Sequence, residues 1–208
     1  MSPAAPTSKT GGSTARRPAH RPSRRAHIVE AALRLFARVP FDDVTVGDIA
    51  DAAEMTPAAV YYHFAGKEQI LLEGMQVFSA ELIARVRRAV DEQLPVRETM
   101  SATLEHVAKR RTSATVYFIN SAGLNIALES HRKAVRVELA ELLADASRRA
   151  RGRLPIAEAG VMGAALVSLL EVSAAAMIAR DATFRGIGAR GFVAAVGDLA
   201  DNIIGIAP

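Results

Sequence analysis

The stretch MTPAAVYYHFAGKEQ, Met55–Gln69, decides how this chain is read. Thr56 followed by Pro57 marks a helix start. A threonine hydroxyl caps the free amides there, and a proline at the first helical position gives up an N–H that has no partner anyway. The helix so begun ends near Phe64, at Ala65-Gly66. It carries two of the chain's three tyrosines, next to His63 and Phe64. A helix turns by about 100° per residue, so Tyr61, Tyr62, His63 and Phe64 point in nearly every direction and cannot share one core. The spacing predicts Val60, Phe64 and part of Tyr61 inward. Tyr62 and His63 then face out, where their polar atoms can donate to phosphates.

Working outward from there, the preceding residues supply the rest of a helix-turn-helix. Ile28, Ala31, Ala32, Leu35 and Phe36 recur at the spacing of one amphipathic face, predicting a first helix over 24–39 stopped by Pro40. A second helix is predicted over 46–53 with Thr45 as its N-cap, and Glu54-Met55 makes the tight turn to the third. Ile49, Val60 and Phe64 can then form a small shared core, with Ala50 allowing the two helices to cross closely. A long helix follows over 67–90 with Ile70, Leu71, Met75, Phe78, Leu82 and Val86 inward and Pro95 as its break. Further helical patterns run over 97–111, 115–129, 131–150, 156–180 and 189–205. No strand-type alternation of useful length and no internal repeat is present, so the fold class is all-α. The predicted organisation is a disordered basic tail over 1–22, a three-helix helix-turn-helix domain over 23–68, and a larger helical domain over 69–208.

The net charge of +4 has a definite location. No acidic residue precedes Glu30, whereas Lys9, Arg16, Arg17, Arg21, Arg24 and Arg25 all do. Of 26 basic residues these six lie in the N-terminal stretch, leaving 20 against 22 acidic ones in the remainder. The chain has no cysteine, which excludes thiol nucleophiles, disulfides and cysteine-held zinc and agrees with a reducing, cytoplasmic setting. No apolar leader of the secretory type opens it. His106 and His131 stand alone on different predicted helices, so no metal site is expected, and no cofactor is implied. Phosphate-binding glycine loops, HExxH and nucleophile-elbow patterns are all lacking, so an enzyme is not expected. Residues 159–179 carry one charge, Glu171, and are long enough to cross a bilayer. Their Ala/Gly/Ser-rich composition and lack of an aromatic belt instead suit a helix buried in a subunit interface, and no membrane partner is expected.

The region IVEAALRLFARVPFDDVTVGDIADAAEMTPAAVYYHFAGKEQIL, residues 28–71, resembles the DNA-binding region of the tetracycline-repressor (TetR) family of bacterial regulators. DIADAAEMTPAAVYYHF and the following KEQIL carry the most specific part of that resemblance. It implies a ligand-responsive, dimeric transcriptional regulator, a repressor that binds palindromic double-stranded DNA and is released by a small apolar or amphipathic effector. An activator, or a ligand-independent DNA-binding protein of the same fold, is the alternative. The implied DNA contacts are Thr45 at the start of the second helix, Thr56, Pro57, Ala58 and Ala59 nearest the base edges, Tyr61, Tyr62 and His63 against the backbone, and Lys67 on a phosphate. Arg24 and Arg25, heading the first helix, join this set.

Three departures from the family pattern matter. Glu54 stands where a glycine usually makes the turn, and Pro40 replaces the glycine that often follows the first helix. The base-facing side chains are almost all apolar, which predicts readout through thymine methyl groups and DNA shape rather than bidentate bonds to guanine or adenine. Residues 24–68 hold five basic against seven acidic side chains, a weak attraction for phosphate. Lys9, Arg16, Arg17 and Arg21 upstream are positioned in sequence to compensate by reaching into a minor groove, or else serve only solubility.

The resemblance further implies a homodimer joined through two late helices, with Val161, Leu166, Leu169, Leu170, Val196, Leu199 and Ile203 as candidates; packing within the chain is the alternative. An apolar effector pocket between 97 and 130 is implied, with Met100, Leu104, Val107, Tyr117, Phe118 and Leu124 as walls and Tyr117 and Asn120 as polar anchors. Arg110 and Arg111 face either an anionic effector or water. The implied mechanism is displacement of the fourth helix by the effector, which alters the spacing of the two recognition helices.

Overall fold

Ser23 opens α1, Arg24–Phe36, by accepting the Ala26 N–H at 3.2 Å, in a computed structural model that describes residues 23–205. The predicted basic tail lies outside the described residues. α1 stops three residues short of the predicted Val39, because the Arg38 and Val39 amides both turn back to the Leu35 carbonyl. Pro40 disfavours helical geometry in the residue before it, so the helix has to release the chain early. A 3-10 turn, Phe41–Asp43, then leads to α2, Val46–Ala52, and α3, Pro57–His63. Glu54, between α2 and α3, adopts φ 54°, the left-handed conformation that glycine takes without penalty. The Met55 amide closes the turn on Ala50 O at 2.9 Å. Ile28, Ala32, Phe36, Ile49, Val60 and Phe64 are all buried and unite α1, α2 and α3.

α4, Lys67–Asp91, continues this core through Ile70 and Leu71 and then enters the second one through Met75, Phe78, Leu82 and Val86, all buried as predicted. It is therefore shared by the N-terminal unit and the helical body. Its end is made by Gln93 at φ 57°, with the Leu94 amide bonded back to Ala89 O at 2.9 Å; Pro95 instead precedes the next helix. The body comprises α5, Val96–Lys109, α6, Arg111–Thr115, α7, Ile126–Arg151, α8, Ile156–Ala179, and α9, Ala182–Ile204. All the regular elements among the described residues are helical.

The predicted helix over 115–129 is a correction. α6 runs into a π-helical turn, Val116–Asn120, and the chain reverses through Gly123 at φ 74° before Asn125 caps α7 by accepting the Leu128 N–H at 2.9 Å. α7 therefore starts five residues before the predicted 131. α9 begins at Ala182 rather than 189, with Asp181 capping it and a kink at Gly188, φ 68°.

α8 pairs along its length with α7 and also with α9 and α5. The crossing is close enough at Gly163 that a Cβ there would lie 2.2 Å from the Ala140 carbonyl oxygen. α8 is long and apolar enough to span a bilayer by length and composition, yet Leu166, Val167, Leu170, Ala174 and Met177 are packed in this core.

Candidate nucleic-acid interface

Thr56 caps α3 by accepting the Ala59 N–H at 3.2 Å, which fixes the direction in which this short helix leaves the turn. Val60 and Phe64 anchor its inner side, both buried. Thr56, Pro57 and Ala58 lie exposed at its first turn, with Ala59 partly covered. Tyr62 is 85 % exposed and Tyr61 57 %, so Tyr61 points outward rather than contributing to the core as predicted. The reason is geometric: Val60 and Phe64, four residues apart, occupy the whole inward face, and position 61 falls about 100° away. His63 is half-buried and meets Tyr62 edge to face at 5.1 Å between centroids.

The neighbouring polar groups hold this end of α3 in place. Arg25 donates through Nε to both carboxylate oxygens of Glu73, at 2.9 and 2.8 Å, and through its terminal nitrogens to the Glu73 carboxylate and the His63 carbonyl. Its guanidinium also lies 4.0 Å from the centre of the Phe64 ring. One side chain of α1 thus clamps the end of α3 to α4. His27 Nε2 lies 3.2 Å from Ala53 O and ties α1 to the other side of the turn. Lys67 donates to the carbonyls of Phe41, Asp42 and Val44 at 2.8, 3.1 and 2.8 Å and sits over the Phe41 ring.

Lys67, implied to meet a phosphate, and Arg25, implied to contact DNA, are therefore both engaged within the chain. The three ammonium donors of Lys67 are engaged by carbonyls, so it pins the 3-10 turn to α4. Arg25 is likewise committed within the chain. Arg24 is exposed and makes no ion pair among the described residues, so it keeps a free charge. Thr45 caps α2 in a reciprocal box: its hydroxyl accepts the Asp48 N–H at 3.1 Å and donates to Asp48 Oδ2 at 2.6 Å. The hydroxyl and amide of Thr45 hold the Asp48 carboxyl below its ordinary value.

The predicted effector wall is also corrected. Met100, Leu104, Val107 and Tyr117 are buried in the chain's own core, and Phe118 and Leu124 pack against it. Phe78, Tyr117 and Phe118 form a contiguous aromatic cluster with centroids 5.0–5.9 Å apart. Burial pushes the Tyr117 phenol up to about 12, which keeps it neutral. Asn120 Nδ2 donates to the Phe36 carbonyl at 2.8 Å, ending α1 rather than facing a cavity. Arg110 pairs with Glu81 at 2.8 Å, and Arg111 donates to Ile178 O at 2.7 Å. The roles of Arg25 and Asn120 are not legible in the sequence, because each partner lies far away in the chain.

Among the predicted interface residues, Leu166, Leu170 and Val196 are buried inside the chain and cannot meet a second subunit in this arrangement. Leu169 and Ile203 are partly buried against the same core. Val161, 71 % exposed, and Leu199 do face outward. α8 is apolar on both sides, so periodicity alone could not separate its two faces.

A capped, exposed α3 held on α1 and α2, with a helical body behind it, defines a helix-turn-helix protein of two-part helical architecture. Residues 28–73 match the model of the family described as bacterial regulatory proteins, tetR family. The transcriptional repressor KstR2 of Mycobacterium tuberculosis is 32% identical over 99 residues, covering 46% of this chain and 50% of that protein. The transcriptional regulator BetI of Brucella anthropi is 31% identical over 83 residues, covering 40% and 43%. The chain thus spans about half the length of the curated relatives it matches. Among solved structures, a TetR-like transcriptional regulator from a Rhodococcus species superposes with a TM-score of 0.70 at 21% identity, covering 88% of this chain and 96% of that one. The regulator FadR from Bacillus subtilis, solved in complex with stearoyl-CoA, gives 0.69 at 16% identity over 88% and 99%. The match to the tetR family model is confined to residues 28–73, and the likeness to the solved structures, over 88% of the chain, is one of fold.

Proposed function

We propose that this protein is a cytoplasmic transcriptional regulator, a repressor that binds a palindromic DNA site as a homodimer and leaves it when a small effector binds. One observation carries the reading: the first turn of α3 is exposed and braced, with Thr56, Pro57 and Ala58 at its tip and two outward tyrosines beside it. In this reading Ala58, Ala59 and Pro57 meet thymine methyl groups, and Thr56, Tyr61, Tyr62 and His63 reach the sugar-phosphate backbone. Thr45 takes part through the first amides of α2, and Arg24 supplies the free cation. The repressor names borne by relatives support the direction of control.

The outer face of α8 supports the dimer. Val161 and Val172 are exposed, Ala164 and Ser168 lie between them, and Leu199 of α9 is exposed too. No charged residue stands among the exposed positions from Gly160 to Ala179. Charge-free apolar surface of this kind suits a helix pair from each of two subunits.

A filled interior at Met100, Leu104 and Tyr117 favours a second reading, in which the protein binds DNA without an effector buried in its core. Incubating the full-length protein with sheared genomic DNA, then sequencing what it retains, tests the primary proposal. Enrichment of a short palindrome is the expected result. No enrichment at low salt, from a folded dimer, would contradict it.

A further inference from the structure

A cleft of about 500 Å³ opens where the N-terminal unit meets the body, within the range of roughly 300–1,000 Å³ of small-molecule sites. Its floor is apolar: Val29 and Leu33 come from α1, and Val77, 48 % exposed, from α4. Gly74 keeps α1 and α4 close at the bottom, since a Cβ there would meet Leu33 at 2.8 Å. The far wall is the chain joining α5 to α6, which brings Lys109, Arg110 and Arg111 to one side.

The charges of this lining are asymmetric. Arg34, Lys109, Arg110 and Arg111 stand against Glu30 and Glu73. Both carboxylates are engaged, Glu30 by Arg34 at 3.2 Å and Glu73 by Arg25. Arg110 is held by Glu81. Lys109 makes no ion pair among the described residues; Arg111 donates one N–H to the Ile178 carbonyl at 2.7 Å but meets no carboxylate, so neither positive charge is neutralised. An apolar floor beneath uncompensated cations is complementary to an anion on an apolar body.

We propose that this cleft binds a small single-chain amphipathic carboxylate, with its apolar part against Val29, Leu33 and Val77 and its carboxylate toward Lys109 and Arg111. The occupant bridges α1, α4 and the α5–α6 junction, so binding favours one angle between the N-terminal unit and the body. That regulatory consequence rests on the DNA-binding reading, whereas the binding itself does not.

The test is calorimetric titration of the full-length protein with decanoate, decanol and decyltrimethylammonium. Decanoate is expected to bind at least about tenfold more tightly than either control. Val77→Glu and Lys109→Glu are each expected to weaken it by about tenfold or more. If Val77→Glu fails to fold, the exposed Lys109 variant decides alone. No binding of decanoate, equal binding of decanol, or decanoate binding that Lys109→Glu leaves unchanged would overturn the proposal. Decanoate is also expected to lower retention of the recovered DNA fragment. Binding without that effect would support the site and overturn its regulatory role; binding with no DNA fragment ever recovered would support the site and count against the DNA-binding reading.

Discussion

Two groups of aromatic residues in this molecule are used in opposite ways. Phe78, Tyr117 and Phe118 close on one another inside the body. Tyr61 and Tyr62 stand out from a seven-residue helix with no core to cover them. Burying an aromatic side chain contributes roughly 1.5–3 kcal/mol, so leaving two exposed side by side forgoes a large stabilisation. In the proposed reading, DNA completes the contact with these surface rings. The buried cluster teaches the converse, because aromatic residues in the predicted effector wall are packing and not a cavity.

Changes that separate the two regions should differ in what they alter. The largest expected effect is on the body. Gly163→Leu drives a side chain into the Ala140 backbone and should destabilise the fold by about 3 kcal/mol, read as a lower urea midpoint. Unchanged stability would mean that α7 and α8 do not cross where described. Arg25→Leu removes the clamp on α3 and leaves the Glu73 carboxylate without its partner. The pair is partly solvated, so the expected loss is about 1–2 kcal/mol, accompanied by weaker DNA binding. If DNA affinity stays constant while stability falls, the clamp does not position α3.

Glu54→Gly should raise stability by about 1 kcal/mol, since it relieves a left-handed residue at an exposed turn. A lower midpoint would show that Glu54 makes contacts that outweigh its strain. The pH dependence should be gentler and confined to the body. Burial holds His131 and His106 below their ordinary value of 6.5, so the unfolded chain takes up protons that the folded one resists. Their contribution is complete above that value and is lost as pH falls through and below it. Melting temperature should therefore drop between pH 7.5 and 5.5, and His131→Asn should reduce the drop.

Much of the N-terminal unit was legible because its signals are local. Thr45 and Thr56 cap the helices they precede, Pro57 occupies a first turn, and Ile49, Val60 and Phe64 follow helical spacing. The body was legible in helix count and α4 burial, and less so where long-range contacts decide. Asn120 meets Phe36 across 84 residues, which no spacing rule reveals. The π-helical turn at Val116–Asn120 broke the expected continuous pattern, and α8 offered apolar residues on every side. Arg25 and Lys67 show a different limit. The resemblance implied DNA contacts for both, while nearby carbonyls and Glu73, which no local pattern reveals, engage them within the chain.

The most direct test of the central claim is the affinity of the recovered DNA fragment for the wild type and for Ala58→Glu, measured by fluorescence anisotropy at fixed salt. Ala58 is exposed at the tip of α3, so the substitution should leave the melting temperature nearly unchanged. A carboxylate set against DNA should weaken binding by about 100-fold, through like-charge juxtaposition. Equal affinity in the two proteins would contradict the assignment of α3 as the helix that reads DNA.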